Sequence, residues 1–428
     1  MRVSMDRLEY HDKVLNEITS HRMKQFFKPH HSKYSLPNIT STILDHFHSR
    51  NRAPIDDEPV REIMEGCETV ILLLVDGLGY NLLNRSKRNN NLLDRMIEES
   101  LMIPITSTFP STTTTALTSL NTGLTPQEHG IVGHTMYLKK YGTIANMIKF
   151  SPAIERASDA LVRAGLVPEE YLGKPTMYES LSKDDVNSVV LTKWTYRRSM
   201  LSRMLHKGAT VVPYVSSPDL FVSLAREVKN HVPMIFAYWD SLDTASHAYG
   251  PDTEEVQAEF RNLLFSFFNE FINKLDRKTA KSTCILITGD HGLVQVDPSR
   301  AIIANEHPSL MKSLERPPTG DSRASFLKVT DGKKEAVERF FKKFSGRIDL
   351  FETEHLLDEG FFGQGEMRDG VREAIGDMIA LSRKGNTFRY RFRGAGDDTV
   401  LRGHHGGLTD EELFVPLICL RPSELNPI

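Results

Sequence analysis

Thr69-Val-Ile-Leu-Leu-Leu-Val75 is an unbroken apolar run, β-branched at several positions, that stops at Asp76-Gly77. A run this short, apolar at every position and followed by a turn, reads as a strand buried on both faces inside a parallel sheet. The same grammar recurs twice. Met234-Ile-Phe-Ala-Tyr-Trp239 runs into Asp240, and Thr283-Cys-Ile-Leu-Ile-Thr288 passes through Gly289 into Asp290-His291. Between these two runs, Val256, Phe260, Leu263, Leu264, Phe267, Phe271 and Leu275 recur mostly at steps of three and four, which predicts an amphipathic helix. Strand, helix, strand is the crossover unit of a parallel sheet. A further apolar strand, Phe414 to Leu420, follows a Gly-rich turn near the end of the chain.

The rest of the 428 residues is arranged around these strands. Residues 1–66 are polar and rich in His, Lys and Asn, and read as a mostly helical, solvated N-terminal extension to a domain spanning 67–428. Their histidines, His11, His21, His30, His31, His46 and His48, are scattered at no ligand-like spacing. Residues 135–185 read as a small cap insertion. Residues 305–400 read as a peripheral βαβ element, with strands at Ser325–Val329 and Arg347–Phe351 around a helix from Lys333 to Phe344.

Composition excludes several function classes. Fifty-three Lys and Arg stand against 56 Asp and Glu, a net charge of −3, which leaves no positive excess for a nucleic-acid backbone. The longest apolar run falls far short of the ~20 residues a membrane helix needs. The first residues carry acids and no apolar h-region, so a cytoplasmic location is expected. Three scattered cysteines, Cys67, Cys284 and Cys419, are too few for a disulfide framework.

The chemistry lies just beyond the strands. Asp76, Asp243 with His247, and Asp290 with His291 follow predicted parallel strands, and the C-terminal edge is where open α/β sheets bind ligands. Carboxylates more than 200 residues apart would meet there. They would repel one another unless cations neutralise them, and a mixture of His nitrogen and carboxylate oxygen suits zinc or a similar first-row ion. His404-His405-Gly406-Gly407 adds paired imidazoles before the last strand. The Thr-rich stretch Ile105-Thr-Ser-Thr-Phe-Pro-Ser-Thr-Thr-Thr-Thr-Ala-Leu-Thr-Ser-Leu-Asn-Thr-Gly123 predicts a helix that starts at Ser111 to Thr113 and is capped by Gly123. A hydroxyl at such an N-terminus sits where phosphate oxygens are favoured.

Taken in order, these blocks resemble the alkaline phosphatase superfamily, and most of all its type I phosphodiesterase and nucleotide pyrophosphatase branch. The resemblance covers roughly residues 68–420: Asp76-Gly77, the Thr-rich helix with Thr122-Gly123, Glu128-His129-Gly130-Ile131, Asp243-Thr-Ala-Ser-His247 followed by Gly250-Pro251, Asp290-His291-Gly292, and His405-Gly406. It implies an alkaline-phosphatase-like core, a mostly parallel sheet with helices on both faces. It also implies two divalent ions roughly 4 Å apart, zinc first, with Mn, Fe or Mg as the other candidates. Asp243, His247 and His405 would hold one; Asp76, Asp290, His291 and the nucleophile would hold the other. His405 is preferred to His404 because the family histidine directly precedes Gly, and Asp243 to Asp240 because only Asp243 has a His four residues on. The nucleophile falls on Thr113, ten residues before Gly123, with Thr112 as the neighbouring register and Thr108-Phe109-Pro110 too far upstream.

One departure concerns His134, which follows Gly130-Ile131-Val132-Gly133 where relatives of the diesterase branch carry Asn; its imidazole is assigned to a substrate phosphate oxygen. Arg323 is a further candidate anion contact, against the alternative of a surface ion pair. The implied activity is hydrolysis of a small phosphoester, such as a nucleotide, through a phospho-threonine. The competing expectations are a phosphomonoesterase using the same site and a metal- or phosphate-binding relative without turnover.

Overall fold

A computed structural model of the chain describes residues 6–49, 53–87, 90–392 and 400–425. Residues 1–5 and 50–52 of the expected extension and 393–399 of the expected second insertion lie outside the described residues.

The central sheet has seven strands, β1 (Thr69–Val75), β2 (Leu101–Thr106), β3 (Ser188–Lys193), β4 (Thr210–Tyr214), β5 (Met234–Trp239), β6 (Thr283–Thr288) and β7 (Phe414–Leu420), in the spatial order β2-β7-β6-β1-β5-β3-β4. β6, β1, β5, β3 and β4 pair in parallel, and β7 is antiparallel to both of its neighbours, β6 and β2. β2 therefore runs with the parallel set and β7 alone is reversed. Consequently one edge of the sheet collects the ends of six strands and the beginning of β7. The three strands expected to carry chemistry, β6, β1 and β5, are adjacent at the centre.

Alternation along β1 divides the interior. Val70, Leu72 and Leu74 face one hydrophobic core, and Ile71, Leu73 and Val75 face the other. The helices α1 (Arg7–Ser20), α2 (Leu36–His46) and α3 (Thr113–Thr122) add Val14, Ile39 and Leu120 to the first core. Helices α4 (Ser217–Lys229) and α6 (Glu254–Ser266) add Leu224 and Leu263 to the second, while α5 (Ser241–Tyr249) lies between β5 and α6 in the chain. The predicted amphipathic helix forms as α6 and then widens into a π turn over Phe267–Phe271, which sinks Phe267, Phe268 and Phe271 together into that core.

Two expectations change. The N-terminal segment is not wholly solvated: Tyr10, Val14 and Ile18, four residues apart on α1, and Leu36, Ile39 and Ile43 on α2 are all buried in the core that contains α3. Thr40 of α2 donates to the carbonyl of Leu120 on α3, and a Cβ on the left-handed Gly123 that ends α3 would stand 3.4 Å from the Thr40 methyl. The polar composition of 1–66 conceals these apolar positions, which occur at helical spacing.

The insertions also differ from the reading. The strands Ala324–Leu327 and Ile348–Glu352 and the helix Lys334–Lys342 form, but the strands are not neighbours, because Met378–Ser382 lies between them, antiparallel to both. That strand, Met378-Ile-Ala-Leu-Ser382, is buried at every position. The same antiparallel sheet continues through Thr319–Gly320 to Thr135–Leu138, Thr143–Asn146 and Ser151–Pro152, so the expected cap and the peripheral element share one seven-stranded sheet. Further along the expected cap, the helix Met177–Lys183 belongs to the core, with the Tyr178 hydroxyl donating to Asn121 Oδ1 on α3 (2.7 Å). Among the described residues no helix is long and apolar enough to cross a membrane.

Candidate metal centre and nucleophile

Each strand of the central trio delivers an acid to the shared edge. Asp76 directly follows β1 and is 2% exposed; Asp290 lies two residues beyond β6 and is fully buried. Asp243 stands one turn into α5, which begins directly after Asp240, and His247 is one turn further along the same helix. Gly77 lets α5 come this close. Its φ of +80° suits glycine, and a Cβ there would stand 2.9 Å from the Asp243 Cα. Because β7 is reversed, the loop before it reaches the same edge, and His405 arrives with it.

The side chains of these loops converge. The ligand atoms of Asp76, Asp290 and His291 all lie within 4.8 Å of one another, and so do those of Asp243, His291 and His405. His291 thus belongs to both groups, where the sequence places it only in the one with Asp76, Asp290 and the nucleophile. Its ring stacks on His405 with centroids 3.7 Å apart, and His247 presents Nε2 3.4 Å from Asp243 Oδ1. Thr113 Oγ1 is 3.1 Å from His291 Nε2. Thr112 points elsewhere, its hydroxyl donating to Asp321 Oδ1 (3.2 Å). His404 lies outside both groups and pairs Nδ1 with Ser322 Oγ (2.8 Å).

Backbone carbonyls set the imidazoles. His247 Nδ1 faces Gly403 O (2.7 Å), His405 Nδ1 faces Ser111 O (3.1 Å), and His291 Nδ1 faces Gly292 O (3.2 Å). A carbonyl can only accept, so in all three rings the proton is on Nδ1 and Nε2 offers a lone pair. The Thr113 hydroxyl consequently donates to His291. Three buried carboxylate oxygens at the centre, Asp76 Oδ1, Asp243 Oδ1 and Asp290 Oδ2, have no hydrogen-bond partner among the described residues.

Electrostatics agree with the geometry. Burial, followed by the charges of Asp290 and Asp243, holds the Asp76 carboxyl well above the usual range, and burial raises Asp243. Burial and then His291 and His247 hold His405 well below the ordinary imidazole value. Carboxylate oxygens without donors, facing imidazole lone pairs, fit one or more divalent cations: the oxygens need positive charge, and the imidazoles are in the tautomer that ligates.

The near misses are placed too. Asp240 is taken by Lys193 Nζ (3.0 Å) and the Tyr196 hydroxyl (2.6 Å). Arg323 is neither an anion contact nor a surface residue. It is fully buried and forms a bidentate pair with Glu412, with Nε–Oε1 and Nη2–Oε2 both 2.8 Å. His134 is partly buried, lines a cavity of about 520 Å³ shared with His247 and His405, and is pushed down to about 4 by burial together with His247 and Lys149. A second cavity of about 590 Å³ opens on Asp76, Thr113 and Asp243.

Two residues escaped the sequence reading. Tyr238, the penultimate residue of β5, donates its hydroxyl to Asp76 Oδ2. Its only signal was a polar-tipped aromatic in an otherwise apolar strand. Asp321 accepts from Thr112 and from the backbone N–H of His134 (3.2 Å each), and burial pushes it up to about 7. It packs against Gly406, where an added Cβ would stand 2.6 Å from the Asp321 Cβ.

Comparison with known proteins places the chain in a family. Residues 70–408 match the type I phosphodiesterase / nucleotide pyrophosphatase family. The bis(5'-adenosyl)-triphosphatase ENPP4 of Pongo abelii is 23% identical over 245 residues, 54% of this chain; the chain spans about half the length of that curated relative, 49%. Murine ectonucleotide pyrophosphatase / phosphodiesterase 5 shares the fold with a TM-score of 0.59 at 17% identity, over 82% of this chain and 87% of the mouse chain. Phosphonoacetate hydrolase from Sinorhizobium meliloti, in complex with phosphonoformate, does so with a TM-score of 0.61 at 17% identity, over 84% and 94%. The α/β fold is alkaline-phosphatase-like with an additional antiparallel sheet, and the chain belongs to the type I phosphodiesterase and nucleotide pyrophosphatase family of the alkaline phosphatase superfamily.

Proposed function

We propose that the protein is a divalent-metal-dependent phosphoester hydrolase of the phosphodiesterase or pyrophosphatase type, working through a phospho-threonine at Thr113. The observation that carries this reading is the set of donor-less buried oxygens on Asp76, Asp243 and Asp290 beside Thr113. In this reading Asp76, Asp290, His291 and Thr113 hold one ion, and Asp243, His247 and His405 hold a second, zinc being the first candidate. When bound, such ions supply charge neutralisation and Lewis acidity.

The chain's own groups do the rest. Thr113 is the first residue of α3, and its N-cap, Thr112, makes no side-chain bond to the helix because its hydroxyl is committed to Asp321. The first N–H groups of α3 therefore remain open to phosphate oxygens, at the positive end of the helix. In the first step Thr113 Oγ gives up its proton to solvent and attacks phosphorus in line, and the bond to the leaving group breaks with its electron pair on the departing oxygen, which takes up a proton from water. In the second step water attacks phosphorus and gives up a proton, the P–Oγ bond breaks with its electron pair on Thr113 Oγ, which is reprotonated, and inorganic or substituted phosphate leaves.

Two cavities flank the centre, one beside Thr113 and one beside His134, so both substituents of a phosphodiester or anhydride have room. That supports a diester or pyrophosphate substrate over a monoester. A relative crystallised as an inactive variant in complex with AMP supports a nucleotide-like substrate. The test is a panel of aryl and nucleotide phosphodiesters against monoesters with Zn and Mn. Chelator-reversible turnover with the higher kcat/KM on diesters is expected; metal uptake with no turnover across the panel would refute the proposal.

A further inference from the structure

His134 directly precedes, and Asn146 ends, one strand each of a pair in the second sheet, where Thr135 is registered opposite Asn146 and His134 O accepts from Met147 N (2.8 Å). Asn146 Oδ1 accepts the backbone N–H of Lys149 (3.0 Å). Only the oxygen of an amide can face an N–H, so the side chain's orientation is settled and Nδ2 is the atom 2.9 Å from His134 Nε2. An amide nitrogen can only donate. His134 Nε2 must therefore be the unprotonated nitrogen, and the ring proton is on Nδ1. Nδ1 has no partner among the described residues and is absent from the buried atoms that lack one, so it is open to the cavity that His134 shares with His247 and His405.

The contrast with the three histidines of the centre gives this arrangement its meaning. Carbonyls hold their Nδ1–H groups and leave Nε2 lone pairs for a cation. Asn146 holds His134 the other way round and leaves an N–H, which suits an anion. We propose that Asn146 is a positioning residue that keeps His134 in its Nδ1–H tautomer, so that His134 donates a hydrogen bond to a non-bridging phosphate oxygen of the bound substrate. This rests on the reading of the site as a phosphoester hydrolase.

The test uses the zinc-loaded full chain labelled with ¹⁵N-histidine. In the wild type, His134 Nδ1 is expected in the protonated range and Nε2 in the unprotonated range. Asn146→Asp offers only acceptors and should reverse the two assignments while costing roughly 10- to 100-fold in kcat/KM, the effect of losing a donor to a charged group. His134→Ala should cost the same, and Asn146→Asp added to it should cost nothing more. His134→Asn, which restores an amide donor, should recover most of the loss. An Nε2-protonated His134 in an active wild type would overturn the proposal, as would an equal penalty for Asn146→Asp in the His134→Ala background. An inactive wild type would instead overturn the hydrolase reading, whatever tautomer the spectrum shows, and the donor role with it.

Discussion

Thr113 Oγ1 and His291 Nε2 stand 3.1 Å apart although 178 positions separate them in the chain. The Gly292 carbonyl on the far side of the imidazole makes Nε2 an acceptor, so the threonine hydrogen is already directed at a lone pair. Thr113→Ala should lower kcat by at least about 10³-fold on any phosphoester the wild type hydrolyses, with bound metal and the circular dichroism spectrum retained. Thr112→Ala should cost far less, since that hydroxyl serves Asp321. Near-normal kcat in Thr113→Ala would remove it as the nucleophile.

Crowded carboxylates make metal removal and charge removal opposite in effect. Chelation should lower Tm, because it returns Asp76, Asp243 and Asp290 to mutual repulsion. Asp76→Asn relieves part of that repulsion. It should raise the stability of the metal-free protein by about 1–3 kcal/mol while weakening zinc binding. Thermal melts with and without chelator decide the matter; a Tm indifferent to chelation would contradict a cation at this centre.

Arg323 and Glu412 are both fully buried, and Arg323 Nη1 also donates to the carbonyls of Arg383 and Asn386. Removing one partner strands the other's charge. Arg323→Met should therefore destabilise the fold by about 3–5 kcal/mol, with Arg323→Lys recovering little because a single ammonium cannot replace the fork. Urea denaturation measures this, and a loss below ~1 kcal/mol would show that the pair is dispensable.

His129 supplies a pH signature away from the metal centre. It is fully buried, accepts from Ile131 N–H at Nδ1 (3.1 Å) and meets Ser119 Oγ at Nε2 (3.0 Å); burial, then Arg368 and His31, push it down to about 3. The unfolded chain protonates this residue below about pH 6.5, and the folded chain does not until about 3. Stability should accordingly be complete above the unfolded value and fall as pH drops through that window. His129→Asn should be less stable at pH near 7.5 and show a shallower decline on acidification, followed by denaturant midpoints across the range. An unchanged slope would mean that other groups set the acid sensitivity.

The N-terminal helices should matter to activity. Ile39 on α2 is 1% exposed in the core behind α3. Ile39→Ala should cost about 2–4 kcal/mol and reduce kcat through displacement of the Thr113 helix. A variant that loses stability without any change in kcat would separate the two roles.

The strand-end acids were legible because each follows an apolar run in a sheet whose direction the run itself implies: Asp76, Asp290 and, through α5, Asp243. His405 needed the reversal of β7 to reach the same edge, and that reversal is a matter of pairing, which local sequence does not encode. Asp321 was hidden for a related reason. It sits in a sheet assembled from two segments nearly two hundred residues apart, so its proximity to Thr112 and His134 exists only after Gly320 has paired with Thr135. Arg323, two residues on, drew attention as an exposed cation because nothing nearby in sequence announced Glu412. The buried face of α1 was readable from Tyr10, Val14 and Ile18 at steps of four, a spacing that the surrounding charges obscured.

The position of β7 has a consequence for biogenesis. The last strand among the described residues occupies an interior slot, between β2 and β6. Until a ribosome releases residues 414–420, the nascent chain carries two unpaired strand edges, the loop bearing His405 is not tethered, and the Phe27 N–H that will bond Leu408 O has no acceptor. Premature termination upstream of this strand therefore leaves a split sheet with sticky borders, a substrate for chaperones or aggregation, in place of a trimmed fold.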